Sequence, residues 1–282
     1  MLLSGGALAL AGCKPKAAPD AASSASATSP TSLDAAVTGS WRLPQDKARD
    51  VWRHPAQSLA FWGVKPGDTV VEFWPGAGWY ADIIAPYLAA TGGTYYAADV
   101  QATTPAAVAL ASALQQKFNA HPKLYGKAHF TEFGPTSGPV APAGSADVVL
   151  FLRNLHDWME DGIAEKAFRD AFRALKPGGT LGIEEHRATP GGLQDILAKT
   201  GYVQEAYVKQ MAGEAGFTFD KASEINSNPK DDHNHPFGVW TLPPTRRSAP
   251  EGKPANPKFD HTKYDAIGES DRMTLRFVKP GG

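Results

Sequence analysis

Glu72-Phe73-Trp74-Pro75-Gly76-Ala77-Gly78 joins two stretches of different period. Before it, Asp68-Thr69-Val70-Val71 is a short apolar, β-branched run, the pattern of a buried strand. After it, Tyr80, Ile83, Ile84, Tyr87 and Leu88 recur at helical spacing. The unit therefore reads as strand, glycine-rich turn, helix. Gly76 and Gly78 allow a sharp turn and let a ligand approach the backbone without a Cβ in the way. A nucleotide-like ligand at the carboxyl end of the first strand is the natural expectation, ahead of a tight turn with no ligand.

Two ligand classes use such a turn. Gly76-Ala77-Gly78-Trp79-Tyr80-Ala81 fits the dinucleotide fingerprint G-x-G-x-x-G/A, which supports an NAD(P)-dependent oxidoreductase. A pyrophosphate, however, seeks a helix N-terminus with no anion beside it. Here the Glu72 carboxylate ends the strand, which suits a cationic group and opposes a phosphate. S-adenosylmethionine carries an ammonium and a sulfonium and no phosphate, so it is the better match.

Working outward, the same alternation recurs. Thr94 to Asp99 reads as a second strand ending in an acid, able to accept both hydroxyls of a ribose. Pro105 to Phe118 is a predicted helix and Lys127 to Phe133 a third strand. Ala146-Asp147-Val148-Val149-Leu150-Phe151-Leu152 is apolar on both faces, as buried parallel strands are, and runs into Arg153-Asn154-Leu155-His156-Asp157-Trp158. Ligands of open α/β sheets bind at that edge. Ile163, Ala167, Phe168, Ala171 and Leu175 share a helical face, Lys176-Pro177-Gly178-Gly179 stops it, and Thr180 to His186 is a fifth strand ending in Glu184-Glu185-His186.

Upstream of the turn, Leu43 to Trp52 reads as a short helix broken at Arg53-His54-Pro55, and a second helix follows. Arg53 and His54 stand where they can reach a ligand carboxylate or cap the surface. Downstream, Tyr202 to Ala215 is a predicted helix, Gly216 to Ile225 a strand and Asp271 to Val278 an alternating last strand. Residues 226–270 form a long insert rich in Pro, Asn and charge. Within it Asp231-Asp232-His233-Asn234-His235 resembles a metal cluster, but without cysteine partners a solvated or hydrogen-bonding role is expected and no metal is assigned.

Composition bounds the class. The chain has 282 residues, 42% hydrophobic and 20% charged, enough for one sizeable core. Net charge is −1 with no long basic run, which disfavours nucleic acid as a partner. A single cysteine excludes an internal disulfide. It follows a short apolar stretch, residues 1–12, which reads as a signal segment. Leu10-Ala11-Gly12-Cys13 resembles the bacterial lipoprotein signal, in which the cysteine is lipidated. Residues 13–40, dominated by Ala, Ser, Thr and Pro, read as a disordered tether, with the folded domain at 41–282. Lys14 after the cysteine points to the outer membrane. The expected location is therefore extracytoplasmic, with a lipid anchor facing the periplasm.

Taken together, Glu72 through Tyr80, Asp99, Arg153 through Trp158, the Lys176–Gly179 turn and Glu184-Glu185-His186 make the chain resemble the class I S-adenosylmethionine-dependent methyltransferases. Within them it is similar to bacterial predicted methyltransferases with an E-x-W-P-G-x-G-W-Y turn. The resemblance spans roughly Arg49 to Lys279. It departs at Trp74, where the broader superfamily has its first glycine. It implies an α/β, doubly wound, Rossmann-like sheet, mostly parallel, with a C-terminal antiparallel hairpin. It also implies S-adenosylmethionine as cofactor, held by Glu72, Gly76, Ala77, Gly78 and Asp99, and transfer to a small-molecule acceptor near Arg153, Asn154, His156 and His186. His156 is the favoured base, His186 the second. Because S-adenosylmethionine is made in the cytoplasm and an export signal leads away from it, a non-catalytic metabolite-binding lipoprotein on this scaffold is the principal alternative.

Overall fold

A computed structural model describes residues 29–281. The β-branched and aromatic runs form a seven-stranded sheet: β1 (Thr69–Phe73), β2 (Thr94–Val100), β3 (Ala128–Phe133), β4 (Ala146–Leu152), β5 (Leu175–His186), β6 (Thr218–Ser223) and β7 (Arg272–Val278). Their order is β3-β2-β1-β4-β5-β7-β6. The first five strands pair in parallel, whereas β7 runs antiparallel to both β5 and β6. The sheet is thus the expected doubly wound one. Its strand order reverses between β1 and β4, so their carboxyl ends open a crevice at that point.

Side-chain alternation decides what covers each face. Val71, Phe73, Val149, Phe151, Leu181 and Ile183 turn toward helices Ala164–Ala174 and Glu205–Glu214. Val70, Val148 and Leu150 turn the other way, onto helices Pro55–Trp62 and Ala81–Thr91. Period two places Glu72 on this second face, inside the layer that carries the turn and its helix. A carboxylate in that apolar layer has no packing purpose.

Several boundaries differ from expectation. The segment assigned to a tether contains a helix, Leu33–Val37, capped by the Ser32 hydroxyl, and its Ala36 is wholly buried in the second layer. The folded part therefore begins before Trp41; two apolar side chains at helical spacing, Leu33 and Val37, suffice to dock one turn. The expected helix from Leu43 to Trp52 is two separate turns, Pro44–Lys47 and Asp50–Arg53. Strand β5 starts at Leu175 rather than Thr180, and its register against β4 shifts between Ala146 and Val148. Residues 1–28, with the signal segment, Cys13 and the first part of the tether, lie outside the described residues.

Residues 226–270 fold back over the carboxyl edge. Asn226 donates to the Ser58 and Thr274 hydroxyls, and Asn228 to the carbonyls of Ile267 and Glu269. Asp231 is the hub of the insert: it accepts from Tyr202 Oη at 2.9 Å and from the Asp271 amide at 2.8 Å, and lies 2.7 Å from His235 Nε2. These bonds tie the aspartate-histidine run into the insert, where Asp231, Asp232 and His235 also lie close to one another.

Candidate active site

The turn after β1 is built on left-handed backbone. Trp74 has φ 46°, Gly76 56° and Gly78 88°. A left-handed tryptophan costs energy that a glycine would not, which explains why glycine serves at this position elsewhere. Here the indole repays the strain by packing: its Nε1 donates to the Phe133 carbonyl at 2.9 Å and its ring meets Trp158 edge-on, centroids 5.7 Å apart. The ring is thereby folded away from the turn. Ala77 is exposed at the tip, and a Cβ on Gly76 would meet nothing within 4 Å. Gly78 has no such room: its Cβ would stand 2.7 Å from Leu114 Cδ1.

Two buried carboxylates flank this turn. Glu72 accepts from Tyr95 Oη at 2.7 Å through one oxygen, and its other oxygen has no hydrogen-bond partner among the described residues. Burial pushes its carboxyl up to about 8, against the opposing pull of the Tyr95 hydrogen bond and of Arg153. Asp99, near the end of the neighbouring strand β2, accepts from the Val100 amide through Oδ1, while its buried Oδ2 is unpartnered among the described residues. Burial raises this carboxyl too, and Glu132 across the strand pair adds to it. A cavity of about 320 Å³ adjoins Asp99, walled by Val108, Gln115, Phe130 and Thr131. Unpartnered carboxylate oxygens beside an open left-handed turn fit a ligand with a cationic head and a pair of hydroxyls, as S-adenosylmethionine has. They do not fit a pyrophosphate.

A second cavity, about 220 Å³, opens beyond β4 and β5. Its walls bring together Arg53, Arg153, His156, Asp157 and His186 with Trp240, Pro243, Pro244, Glu269 and Ser270 of the folded-back insert. Arg153 sits at φ 63°, a left-handed kink that ends β4 and returns the side chain to Glu184, with Nη1 2.9 Å from Oε1. Glu184 also accepts from Tyr80 Oη at 3.1 Å and pairs with Arg272 at 2.9 Å. Glu269 in turn holds Arg49 at 2.7 Å, Arg53 at 2.8 Å and Arg272 at 3.1 Å.

The two histidines have opposite surroundings. Burial alone would lower His156, but the Glu185 carboxylate, 2.9 Å from its Nδ1, overrides this and holds it at about 8. No carboxylate among the described residues hydrogen-bonds the His186 imidazole; burial, then His156, Arg272 and Arg153, drive it well below the ordinary range. Its Nδ1 is hydrogen-bonded to Ser270 Oγ. Although His156, Glu185 and His186 lie close enough to share a metal, Glu185 is already committed. Its oxygens take the amides of Leu155 at 2.8 Å, His156 at 3.3 Å and His186 at 2.8 Å besides the imidazole. Arginine-rich walls further oppose a cation.

Of the residues picked out in sequence, Arg153, His156 and His186 line the second cavity, and Glu72, Gly76, Ala77, Gly78 and Asp99 surround the turn. Asn154 belongs elsewhere than expected. Its Nδ2 donates to the carbonyls of Phe73 at 3.0 Å and Trp74 at 3.2 Å, so it braces the turn rather than facing an acceptor. Trp240 and Glu269 were not foreseen, because an insert's contribution to a site depends on where it docks; a tryptophan within a Pro-rich segment was the available signal.

No family model matches this chain, and no curated protein does. Solved structures are similar in fold. One is the 4+2 cyclase SpnF, 17% identical over 82% of this chain and 81% of that one, with a TM-score of 0.54. Another is a SAM-dependent methyltransferase from Aquifex aeolicus, 21% identical over 64% of this chain and 87% of that one, with a TM-score of 0.50. A third is a candidate sarcosine dimethylglycine methyltransferase from Galdieria sulphuraria, 14% identical over 84% and 88%, with a TM-score of 0.52. Identities this low carry no residue's role across, and a cyclase among them shows that this scaffold hosts more than one reaction. What strand order and these likenesses together establish is that the chain has the fold of the class I S-adenosylmethionine-dependent methyltransferases.

Proposed function

We propose that the protein is an S-adenosylmethionine-dependent methyltransferase acting on a small molecule. The observation that carries this reading is the pair of buried carboxylates, Glu72 and Asp99, each with an oxygen unpartnered among the described residues, on either side of the Gly76–Gly78 turn. Burying such groups is costly unless a ligand completes them. Glu72 would take the ammonium, Asp99 the ribose hydroxyls, and the open backbone at Gly76 and Ala77 the body of the cofactor.

Bound S-adenosylmethionine supplies an electrophilic methyl group. The chain supplies position and a base. Asn154 holds the turn's carbonyls still. Arg153, fixed by Glu184, and Arg53, fixed by Glu269, form one wall of the acceptor cavity. In the tautomer assigned here, Nδ1–H donates to Ser270 Oγ and leaves His186 Nε2 to accept a proton from the acceptor, and its lowered affinity keeps it neutral at physiological pH. His156, held as a cation by Glu185, already carries its proton at neutral pH and so does not compete for the acceptor's. The base assigned here is therefore His186, not the His156 favoured by sequence.

The amino-terminal reading belongs to the same proposal: Cys13 is lipidated and carries the domain outside the cytoplasm, at the outer membrane. Among the described residues no helix is long and apolar enough to cross a membrane. Calorimetry with S-adenosylmethionine and S-adenosylhomocysteine tests the central claim; binding of both is expected, and binding of neither overturns it.

A further inference from the structure

The acceptor cavity carries more positive charge than its own residues neutralise. Arg49, Arg53, Arg153 and Arg272 share two carboxylates, Glu184 and Glu269. His156 stands between Glu185 at 2.9 Å and Asp157 at 3.4 Å, which returns one negative charge. Glu72 does not enter this balance: it is not among the residues that line the cavity, and its charge is assigned to the cofactor's ammonium. The walls are left with one uncompensated positive charge. Arg247, stacked 4.7 Å over the Trp240 ring, is paired with Glu251 and adds none.

That charge has an address. Arg53 is 95% buried by its 5% exposure, yet only its Nε is hydrogen-bonded, to Glu269; its two Nη groups have no such partner among the described residues. Arg153 commits Nη1 to Glu184 and leaves Nη2 without one. Both side chains line the same cavity, and neither guanidinium's remaining donors are sealed in protein. Donors that face a cavity are open to a ligand, and the planar guanidinium fork matches a carboxylate. The His186 imidazole and the Trp240 indole line the same cavity.

Building on the methyltransferase reading, we propose that the acceptor is a small carboxylic acid whose carboxylate lies between the free guanidinium donors of Arg53 and Arg153. A single negative charge balances the walls, whereas a phosphate dianion would overshoot and face Glu269 and Asp157 as well. The cavity's roughly 220 Å³ suits a molecule of about a dozen heavy atoms. The carboxylate anchors one end, and the nucleophilic group at the other end comes under His186.

The test is calorimetric, on the full chain saturated with S-adenosylhomocysteine. The probes are 4-hydroxybenzoate and 3-phenylpropionate, each with its neutral amide, and phenyl phosphate. The acids are expected to bind about tenfold to a hundredfold more tightly than their amides. Arg53→Gln is expected to erase that preference while its thermal unfolding stays cooperative. Equal binding of acid and amide, binding of neither, or tighter binding of the phosphate overturns the proposal. A separate titration compares S-adenosylhomocysteine with methylthioadenosine, which lacks the carboxylate. If Arg53→Gln weakens only the former, the guanidinium pair serves the cofactor and the proposal fails. Acid binding without any S-adenosylhomocysteine binding would instead sink the methyltransferase reading and leave the anion site standing.

Discussion

His156 and His186 face one another with ring centroids 5.2 Å apart and planes at 61°. One is held as a cation by Glu185, the other kept neutral by burial and by the cations around it. A shared environment has thus separated two identical side chains into a cation and a neutral base. The separation originates in register: Glu185 and His186 are consecutive on β5, so their side chains leave the sheet on opposite faces, and only the glutamate reaches beneath the helix that starts at Leu155.

Replacing the base should therefore separate chemistry from binding. His186→Asn is expected to lower the rate of methyl transfer by about 10² to 10⁴ while leaving S-adenosylhomocysteine affinity unchanged. Because the proton affinity of His186 is lowered, the parent enzyme should stay active below pH 6.5, where an ordinary histidine would already be protonated. Its acid limb should fall only further down. A pH profile of the parent's rate at saturating S-adenosylmethionine, where the Glu72 titration no longer limits binding, checks both expectations together with the variant's single-turnover rate; an acid limb of that saturated rate at or above 6.5 excludes His186.

Glu72 couples binding to stability with opposite signs. Its carboxyl is raised from 4.5 to about 8, so the ligand-free fold prefers the protonated form. Stability is lost as pH rises from the unfolded value toward 8, where the buried group ionises. A cationic ligand needs the ionised form, so affinity for S-adenosylmethionine should rise by up to about tenfold per pH unit and level off near 8. Glu72→Gln should raise the melting temperature of the ligand-free protein at pH 8, weaken cofactor binding, and flatten its pH dependence. Matched calorimetry and thermal scans across pH 6 to 9 would show it.

The glycines of the turn differ in what an added methyl group meets. Gly78→Ala strains a residue at φ 88° and drives a Cβ to 2.7 Å from Leu114, so a loss of about 2 to 4 kcal/mol in unfolding free energy is expected. Gly76→Ala strains φ 56° but meets no neighbour, so the fold should lose only about 1 to 2 kcal/mol. If the open space at Gly76 is where a cofactor lies, that variant should lose affinity out of proportion to stability. Denaturant titration and calorimetry on both variants make the comparison.

The fold was legible because its signals are local. Val70-Val71, the Gly76–Gly78 turn and the helical face from Tyr80 to Leu88 occupy a single window, and the same alternation repeats through β5. Trp74 is the instructive case: its mismatch with glycine shows in sequence, but only the contacts to Trp158 and Phe133 explain how the left-handed backbone survives. The site was only partly legible. Strand ends announced Glu72, Asp99, Arg153, His156 and His186, since polar residues leaving apolar strands are conspicuous. Asn154's turn toward the Phe73 carbonyl, and the docking of Trp240 and Glu269, depend on long-range packing that no periodicity encodes. Nor does residue type reveal which histidine keeps its proton.

The amino-terminal proposal has its own test. Cys13→Ser in the full chain should leave membranes and appear in the soluble fraction with unchanged thermal unfolding. The helix Leu33–Val37 is docked on the domain, so the tether available between anchor and fold spans residues 14–32 at most. Fractionation of parent and variant decides the matter: a parent that is itself soluble removes the anchor.

Glu185 is expected to matter to stability more than to binding. It is wholly buried on β5, yet it closes the amino end of helix Leu155–Glu160 by accepting two of its amides, and it holds the His156 imidazolium. Glu185→Gln keeps the shape but gives one oxygen and one amide where two oxygens stood. If the remaining oxygen serves the helix, the amide must face the His186 backbone N–H and His156 Nδ1, where a donor meets a donor. His156 then loses the carboxylate that overrides burial, and its proton affinity should drop. The sign follows from linkage: a histidine raised to about 8 contributes stability that is complete below its unfolded value near 6.5 and disappears as pH rises through 8. Parent and variant should therefore differ most between pH 5 and 6.5, by about 2 kcal/mol from the titration alone, and converge toward the cost of the lost cap above pH 8. Denaturation at pH 6 and pH 9, with His156 followed by NMR titration, would measure both parts. A stability difference that does not change between the two pH values would show that Glu185 acts on the helix and not on the histidine.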